Sequence, residues 1–388
     1  MRRVPALVTA VCAAVALLAT GCTAEEGPPP IRVGLLTALS GTQQAPGSDI
    51  RQGFLLYLET HGNKLGGREV ELFTADEGEN ASTSVPAAEK LVQQEEVEVL
   101  AGTISSGASG GVAEVATRAR IPFVGANGRP KIEDTTWVWH TSFLTEDFGA
   151  SLGRYMAEEI DGPVYVLGQE FVGAYEGMRG FLRAFRAAGG VLANPDGKPT
   201  LTPMSTKDYR PYLDAVTATG AKAVYGWYVA KQGVDFLKQY PTSAAAGLPL
   251  YGSGATEGTK ALPAIGDAAI GVRSAFHYAP NLDNPANRAF VAAWDTKHPG
   301  VVPSGLAVSA YDAGAVLDRA IAAAGPTAGP AEINRAIAEL GKIDSPRGEW
   351  EFGPKTHTPV QKWYLREVRR DGRSLSNAVI QDLVTLGG

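Results

Sequence analysis

The chain has 388 residues, a formal net charge of −6 and 44% hydrophobic residues, enough apolar content for one large domain or two of ordinary size. An acidic chain without a basic run argues against nucleic-acid binding. Cys12 and Cys22 are its only cysteines, which excludes cysteine-based metal sites and thiol nucleophiles beyond residue 22. We expect no metal, because the histidines lack metal-ligand spacing: His61, His140, His277, His298 and His357. We also expect no cofactor, since no Walker-type phosphate loop occurs.

The first residues predict a secretory signal. Arg2 and Arg3 precede an apolar run at 4–18, which is shorter than the roughly 20 residues of a spanning helix. The segment LATGC ending at Cys22 resembles a bacterial lipobox, in which the cysteine is lipidated. An ordinary signal peptide with a stray cysteine is the alternative. We predict a signal peptide at 1–21, a lipidated tether at 22–30 and an extracytoplasmic, membrane-anchored protein.

From residue 31 onward, short apolar runs alternate with helical patterns. Strands are predicted at 31–37, 70–75, 97–102, 121–125, 164–167, 223–228 and 249–252. Helices are predicted at 49–61, 82–94, 111–119, 147–160, 175–188, 209–219, 231–240, 287–298, 304–324 and 330–340. The end of the chain is strand-like at 361–368 and 378–383. This alternation predicts an α/β fold with two doubly wound, Rossmann-like lobes and a ligand cleft at the strand carboxyl ends.

A loop rich in hydroxyls and glycines, TISSGASGG at 103–111, follows the third predicted strand. Such a loop at a helix start offers N–H groups and hydroxyls to a carboxylate, although ordinary cap and turn chemistry is the alternative. The same loop matches the G-x-S-x-G nucleophile pattern at Ser109, so a serine hydrolase remains an alternative function. Ser105 and Ser106 separate the strand from Gly107, whereas a nucleophile turn follows its strand directly.

Several motifs occur in an order and spacing that resemble one family. They are IRVGLLTALSG at 31–41, GFLL at 53–56, NKLGGREV at 63–70, NPANRAF at 284–290, AYDA at 310–313 and GEWEF at 348–352. They are similar to motifs of the periplasmic binding proteins for branched-chain amino acids and related ligands. The resemblance covers 31–370 and implies two lobes, joined by three crossings, that close on a small ligand. It implies lobe 1 at 31–142 plus 276–352, and lobe 2 at 143–275 plus 353–388.

The resemblance also implies a binding site without catalysis. The ligand carboxylate would contact the first lobe at Ser105, Ser106 and the backbone of Ala126, Asn127 and Gly128. Aromatic contacts from the second lobe would come from Tyr228, which closes over the ligand, and from Phe171.

One position departs from the pattern of amino acid binders. The acid that holds the ligand ammonium corresponds to Gly254, and Glu257 is a possible substitute three residues later. An unpaired buried ammonium costs several kcal/mol. Amino acids and non-amino carboxylates, including aromatic acids, therefore both remain open as ligands. The implied partners are the small ligand, an ABC transporter permease and, through the lipid, the membrane. We expect a monomer, and a ligand sensor is an alternative role.

Overall fold

The computed structural model describes residues 27–387, so the predicted signal peptide and Cys22 lie outside the described residues. The strands are β1 Ile31–Thr37, β2 Lys64–Leu65, β3 Arg68–Asp76, β4 Val99–Gly102, β5 Phe123–Gly125, β6 Val138–His140, β7 Val164–Gln169, β8 Thr200–Thr202, β9 Ala223–Trp227, β10 Leu250–Ser253, β11 Arg273–Phe276, β12 Glu351–Phe352, β13 Pro359–Asp371 and β14 Ser374–Leu386. The helices are α1 Gln44–Thr60, α2 Ala81–Gln93, α3 Ser106–Ala119, α4 Thr145–Glu159, α5 Val172–Ala187, α6 Arg210–Thr217, α7 Ala230–Gln239, α8 Ala261–Ile265, α9 Pro285–Lys297, α10 Gly305–Ala324 and α11 Pro330–Ala338.

The first sheet has the strand order β2-β3-β1-β4-β5-β6. All of its pairings are parallel except that of the short β2 with β3. Residues of α1, α10 and α11 pack on one face, and residues of α2 and α3 pack on the other. Because both faces are covered, β1 is almost continuously apolar and buried.

The second sheet has the order β12-β13-β11-β10-β9-β7-β8, with β14 paired to β13. Strands β11, β10, β9, β7 and β8 run parallel, whereas β13 is antiparallel to both β11 and β14. Helices α4 and α5 cover one face, and α6, α7 and α8 cover the other. Two doubly wound sheets confirm the predicted α/β class with two Rossmann-like lobes.

The chain passes between the two sheets three times: between β6 and α4, between β11 and α10, and between α11 and the short strand β12, which pairs with β13. A buried ion pair joins Arg347 to Asp312 at 2.8 Å beside these crossings, and Arg347 also donates to the carbonyl of Thr141. Side chains of α1 and α10, which pack on the first sheet, share one core with the second sheet, so the lobe boundaries stay a prediction. Within residues 27–387, no helix is both long enough and apolar enough to cross a membrane.

The structure differs from the sequence prediction mainly in its shortest strands. Strands β6, β8 and β11 have only three or four residues, too few for a periodic signal.

The end of the predicted tether contacts the first lobe. The guanidinium of Arg68 donates to the carbonyls of Pro29 and Pro30, at 2.8 and 2.9 Å, which attaches the end of this segment to the first lobe.

Candidate functional site

A cleft of about 100 Å³ lies between the two lobes, where the loops after the parallel strands meet. This is where doubly wound sheets usually bind ligands. Its lining includes six residues that the sequence predicted for the site: Ser105, Ser106, Asn127, Gly128, Phe171 and Glu257. The rest of the lining adds aromatic side chains that were not among the predicted site residues: Phe143, Phe148, Trp227 and Phe276.

The first-lobe wall presents the start of α3, which begins five residues earlier than predicted. Ser105 is the N-cap, with extended backbone, and its hydroxyl donates to the carbonyl of Glu79 at 2.8 Å. Ser106 is the first helical residue. Within residues 27–387, the N–H groups of Ser106 and Gly107 have no hydrogen-bond partner. Ser106, which lines the cleft, thus offers a free N–H group and a hydroxyl at the positive end of a helix, next to the free N–H group of Gly107.

A buried carboxyl group holds this loop from below. Glu77 accepts hydrogen bonds from the N–H groups of Ile104 and Ser105, at 2.9 and 3.0 Å. Thr103, just before them, has a φ of 66°, a strained conformation for a β-branched residue. Complete burial raises the pKa of Glu77 to about 8. The acid is therefore mostly neutral at pH 7, which limits its repulsion of an anion in the cleft.

The loop after β5 completes this wall. The side-chain amide of Asn127 donates to the carbonyl of Ile104 at 2.7 Å, which joins the two loops. A Cβ at Gly128 would lie 2.6 Å from the ring of Phe143, so only glycine fits there without displacing that ring. Ala126 does not line the cleft. It is fully buried, and its N–H donates to the carbonyl of Gly102 within the sheet, at 2.7 Å.

The second lobe and the crossings contribute the aromatic wall. The ring of Phe148 lies 5.1 Å from Trp227 and 5.3 Å from Phe276, in edge-to-face contacts. Phe171 is the N-cap of α5. The ring of Trp227 lies against Gly177 of that helix, where a Cβ would approach it to 1.9 Å. These packed rings form a rigid, apolar surface opposite the polar wall.

The structure does not bring Tyr228 to the cleft, contrary to the sequence prediction. Its ring is fully buried on the other face of the sheet, stacked on Phe236 at 4.1 Å and edge-on to Tyr209 at 5.4 Å. Its hydroxyl oxygen accepts a hydrogen bond from the hydroxyl of Thr202 at 3.3 Å. Successive strand residues point to opposite faces, so the adjacent Trp227 takes the cleft position. The alternation was visible in the sequence, but it did not indicate which face met the cleft.

Glu257 reaches the cleft already paired. Its carboxylate forms a buried ion pair with the guanidinium of Arg366. Arg366 also donates to the hydroxyl of Ser274 at 3.0 Å and to the carbonyl of Tyr278 at 2.8 Å. Among the described residues that line the cleft, Glu257 carries the only carboxylate. Its negative charge is therefore compensated before any ligand enters.

Two hydrogen-bonded contacts connect the lobes beside the cleft, and the sequence identified neither. Asp49 of α1 accepts from the N–H and the hydroxyl of Thr259, at 2.8 and 2.6 Å, and from the hydroxyl of Ser304 at 2.8 Å. Burial raises the pKa of Asp49. In the second contact, the carboxylate of Glu176 in α5 accepts a hydrogen bond from the N–H of Lys131 at 3.0 Å. The structure is thus a closed arrangement of the two lobes.

Ser109, the possible nucleophile, lies in the second turn of α3 and not on a sharp turn. Its hydroxyl is 3.4 Å from Nε2 of His140. Both residues are buried and neither lines the cleft. Nδ1 of His140 contacts the carbonyl of Asn127 at 2.8 Å instead of an acid, and burial lowers the pKa of His140 to about 3. This pair therefore lacks both substrate access and the third member of a catalytic triad.

No group of three or more histidine, cysteine, aspartate or glutamate side chains is placed to hold a metal ion within the described range, 27–387. The cleft itself presents hydroxyls, N–H groups and aromatic rings. It is thus suited to bind a small organic molecule.

Solved structures with the same fold include two from R. palustris. One is a solute binding protein of an ABC transporter in complex with benzoate: 28% identical, TM-score 0.82, covering 92% of this chain and 98% of that one. Another, in complex with 4-hydroxybenzoate, is 26% identical with a TM-score of 0.82, covering 92% and 97%. A leucine binding protein from Thermotoga maritima shares the fold at 18% identity, with a TM-score of 0.80 and coverage of 90% and 98%.

The sequence is also similar to a Leu/Ile/Val-binding protein homolog of Brucella suis. The two are 28% identical over 360 residues, which is 90% of this chain and 91% of the relative. The family model described as "Periplasmic binding protein" matches residues 30–373, which confirms the resemblance seen in the motifs. The chain therefore belongs to the periplasmic binding protein family, whose members are extracytoplasmic solute-binding proteins.

Proposed function

We propose that this protein captures an aromatic carboxylate between its lobes and delivers it to an ABC importer. The observation that carries the proposal is the contrast between the walls of one closed cleft. Free N–H groups and a hydroxyl at the start of α3 suit a carboxylate, and the packed rings opposite suit a flat apolar body. The site contains no cationic side chain among its described lining residues, so backbone dipoles would hold the anion.

The pairing of Glu257 with Arg366 favours an aromatic acid over an amino acid. A ligand ammonium in this small cleft needs a carboxylate with an uncompensated charge. Glu257 is ion-paired, and Gly254 provides no side chain. An aromatic acid makes no such demand. The relatives with the same fold at 25% identity or more include binders of benzoate and of hydroxybenzoates, which supports the same ligand class.

A calorimetric comparison of ligands tests this proposal. Benzoate, 4-hydroxybenzoate, leucine and isoleucine are titrated separately into the purified protein, and melting temperatures are measured with each at the same excess. We expect binding and a raised melting temperature with an aromatic acid, because a ligand specific for the folded state stabilises it by mass action. Binding of leucine or isoleucine without binding of either aromatic acid would overturn the proposal.

We propose further that the protein binds without catalysis, as a lipid-anchored monomer. The burial of Ser109 and His140 argues against hydrolysis, and the lipobox-like segment argues for lipidation at Cys22. Replacing Cys22 with alanine should release the protein from the membrane fraction with unchanged ligand affinity, because the cleft is made by other residues. A Cys22→Ala protein that remains in the membrane fraction would contradict the anchor.

A further inference from the structure

We propose that Glu257, held in place by Arg366, accepts a hydrogen bond from a hydroxyl group on the ligand ring, at the end furthest from the ligand carboxylate. The protein would then select hydroxylated aromatic acids over unsubstituted ones. This inference rests on the proposed function, because it assumes an aromatic acid in the cleft. It gives Glu257 a role different from that of an ammonium partner.

The geometry separates Glu257 from the carboxylate seat. At one end of the cleft, Ser106 faces the second lobe at Gly173, where a Cβ would lie 3.1 Å from the Ser106 hydroxyl. Glu257 has different neighbours: its Oε2 lies 3.5 Å from where a Cβ of Gly305 would be, at the start of α10, and the next residue, Leu306, lines the cleft. A ligand carboxylate at Ser106 would therefore direct the far side of its ring towards Glu257.

A row of rings in the cleft lining leads from Trp227 to the ion pair of Glu257 and Arg366. Trp227 contacts Phe148, and Phe148 contacts Phe276, with centroids 5.1 and 5.3 Å apart. The guanidinium of Arg366 lies over the Phe276 ring, 5.0 Å from its centroid. The row thus ends at the ion pair. A flat ligand packed along these rings has apolar contacts on its faces and meets a polar group only at its tip.

The free oxygen of Glu257 sets the chemistry at that tip. Oε1 is occupied by Arg366, whereas Oε2 has no hydrogen-bond donor among the described residues. An ionised carboxylate accepts hydrogen bonds and donates none. It therefore favours a ligand group that donates a proton, such as a hydroxyl, and disfavours a methoxy group or a second carboxylate. A site built to pair with a hydroxyl rejects the analogue that lacks it, because the buried acceptor is left unpaired.

Gly254 makes room for this arrangement. Its φ is 72°, and a Cβ there would lie 2.6 Å from Cγ1 of Val229, so a side chain at this position would be strained and crowded. No side chain therefore stands at the position that corresponds to the acid of the amino acid binders, and Glu257 approaches from three residues later in the loop. The ligand meets a compensated acid instead of an isolated one.

Isothermal titration of benzoate, 4-hydroxybenzoate and 4-methoxybenzoate into the unaltered protein gives the first test. The three acids share the carboxylate and the ring and differ only at the far ring position. We expect 4-hydroxybenzoate to bind about tenfold or more tightly than each of the others, the ratio for one charge-assisted hydrogen bond. Equal affinity for the three acids would overturn the inference and leave the proposed function intact. Failure of all three acids to bind would instead contradict the proposed function.

Variants of the ion pair give the second test. Glu257→Gln combined with Arg366→Met removes both charges together, so no buried ion is left unpaired, and we expect the preference for 4-hydroxybenzoate to disappear while benzoate still binds. The control is Asp267→Asn, which removes an exposed acid paired with Arg370, and it should keep the preference. A double variant that folds, as judged by circular dichroism, and retains the full preference would overturn the role of Glu257. If the double variant does not fold, the titration series with the unaltered protein decides.

Discussion

The two walls of the cleft are built in different ways. On the first lobe, the wall consists of backbone and short polar side chains at Ser105, Ser106, Asn127 and Gly128, in the loops after β4 and β5. On the second lobe, it consists of large rings whose positions depend on side-chain packing, such as Trp227 against Gly177. The first wall therefore recognises charge through the backbone, and the second recognises shape through side chains.

The contrast has a consequence for specificity. A helix N-terminus binds many carboxylates with little regard for the rest of the molecule. Selection among them must then come from the ring-lined wall and from the polar group at its end. Changes in the first wall should weaken all ligands alike, whereas changes in the second should alter the order in which ligands are preferred.

Replacing Ser106 with alanine should have the largest effect on affinity. The variant loses a hydroxyl that has no hydrogen-bond partner among residues 27–387 and would donate to the ligand carboxylate. We expect about 10- to 100-fold weaker binding, measured by calorimetry, because hydrogen bonds to charged groups contribute about 1.5–3 kcal/mol. The loss should be similar for benzoate and 4-hydroxybenzoate.

Ser109→Ala is the matched control, since it changes a serine one turn further along the same helix. Ser109 is buried against His140, so its loss should leave affinity unchanged. Undiminished binding by the Ser106→Ala variant would show that the start of α3 does not hold the ligand carboxylate. An esterase activity that disappears with Ser109→Ala would favour the hydrolase alternative.

The next largest effect on ligand affinity is expected for Trp227 in the second wall, with its neighbour Tyr228 as the control. Trp227→Leu should weaken aromatic acids by about tenfold through the loss of a ring contact worth about 1 kcal/mol and of buried area. Tyr228→Phe should leave affinity unchanged, because it removes only a long hydrogen bond to Thr202 on the opposite face. The reverse result would show that Tyr228, as the sequence predicted, faces the ligand.

This pair also shows how far the sequence could predict the site. The loop with Ser105 and Ser106 was predicted because it follows a strand end, and in a parallel sheet such loops meet at one edge by topology alone. The same logic predicted the two lobes. Asn127 and Tyr228 were predicted from the family resemblance, which does not determine the register that turns the Tyr228 ring to the opposite face of the sheet. The lobe contact at Asp49 and Thr259 joins residues far apart in sequence, and no local pattern indicates it.

Thr259→Val tests whether closure of the two walls contributes to binding. The variant removes one of three donors to Asp49, the hydroxyl at 2.6 Å, and keeps the backbone donor. We expect aromatic acids to bind about 3- to 10-fold more weakly, because part of the binding energy must then close the lobes. Small-angle scattering should show a larger fraction of open protein without ligand.

Thr217→Val provides the control for that variant, because the Thr217 hydroxyl is exposed and donates to a carbonyl of its own helix. It should change neither affinity nor scattering. If Thr259→Val binds as tightly as the unaltered protein, the contact with Asp49 is a feature of packing and not of ligand-linked closure.

We expect Glu77→Gln to have the smallest effect on ligand affinity at mildly acidic pH. This variant tests whether the first wall depends on pH, since Glu77 lies beneath it. Burial raises the pKa of Glu77 to about 8 from an ordinary value of 4.5. The folded state therefore retains a proton that the unfolded chain releases. The stability contributed by this group is complete below pH 4.5 and is lost as the pH rises towards 8, by up to about 1.4 kcal/mol per pH unit.

Glutamine keeps an acceptor for the N–H groups of Ile104 and Ser105 but does not titrate. We therefore expect the melting temperature of Glu77→Gln to fall less than that of the unaltered protein between pH 5.5 and 8.5. Ligand affinity should also decline less above pH 8, since an ionised Glu77 beneath the seat repels the ligand carboxylate. Glu89→Gln, which alters an exposed acid on α2, is the control and should follow the unaltered protein. Parallel pH profiles for Glu77→Gln and the unaltered protein would mean that Glu77 does not titrate in this range, and that the first wall is as insensitive to pH as the second.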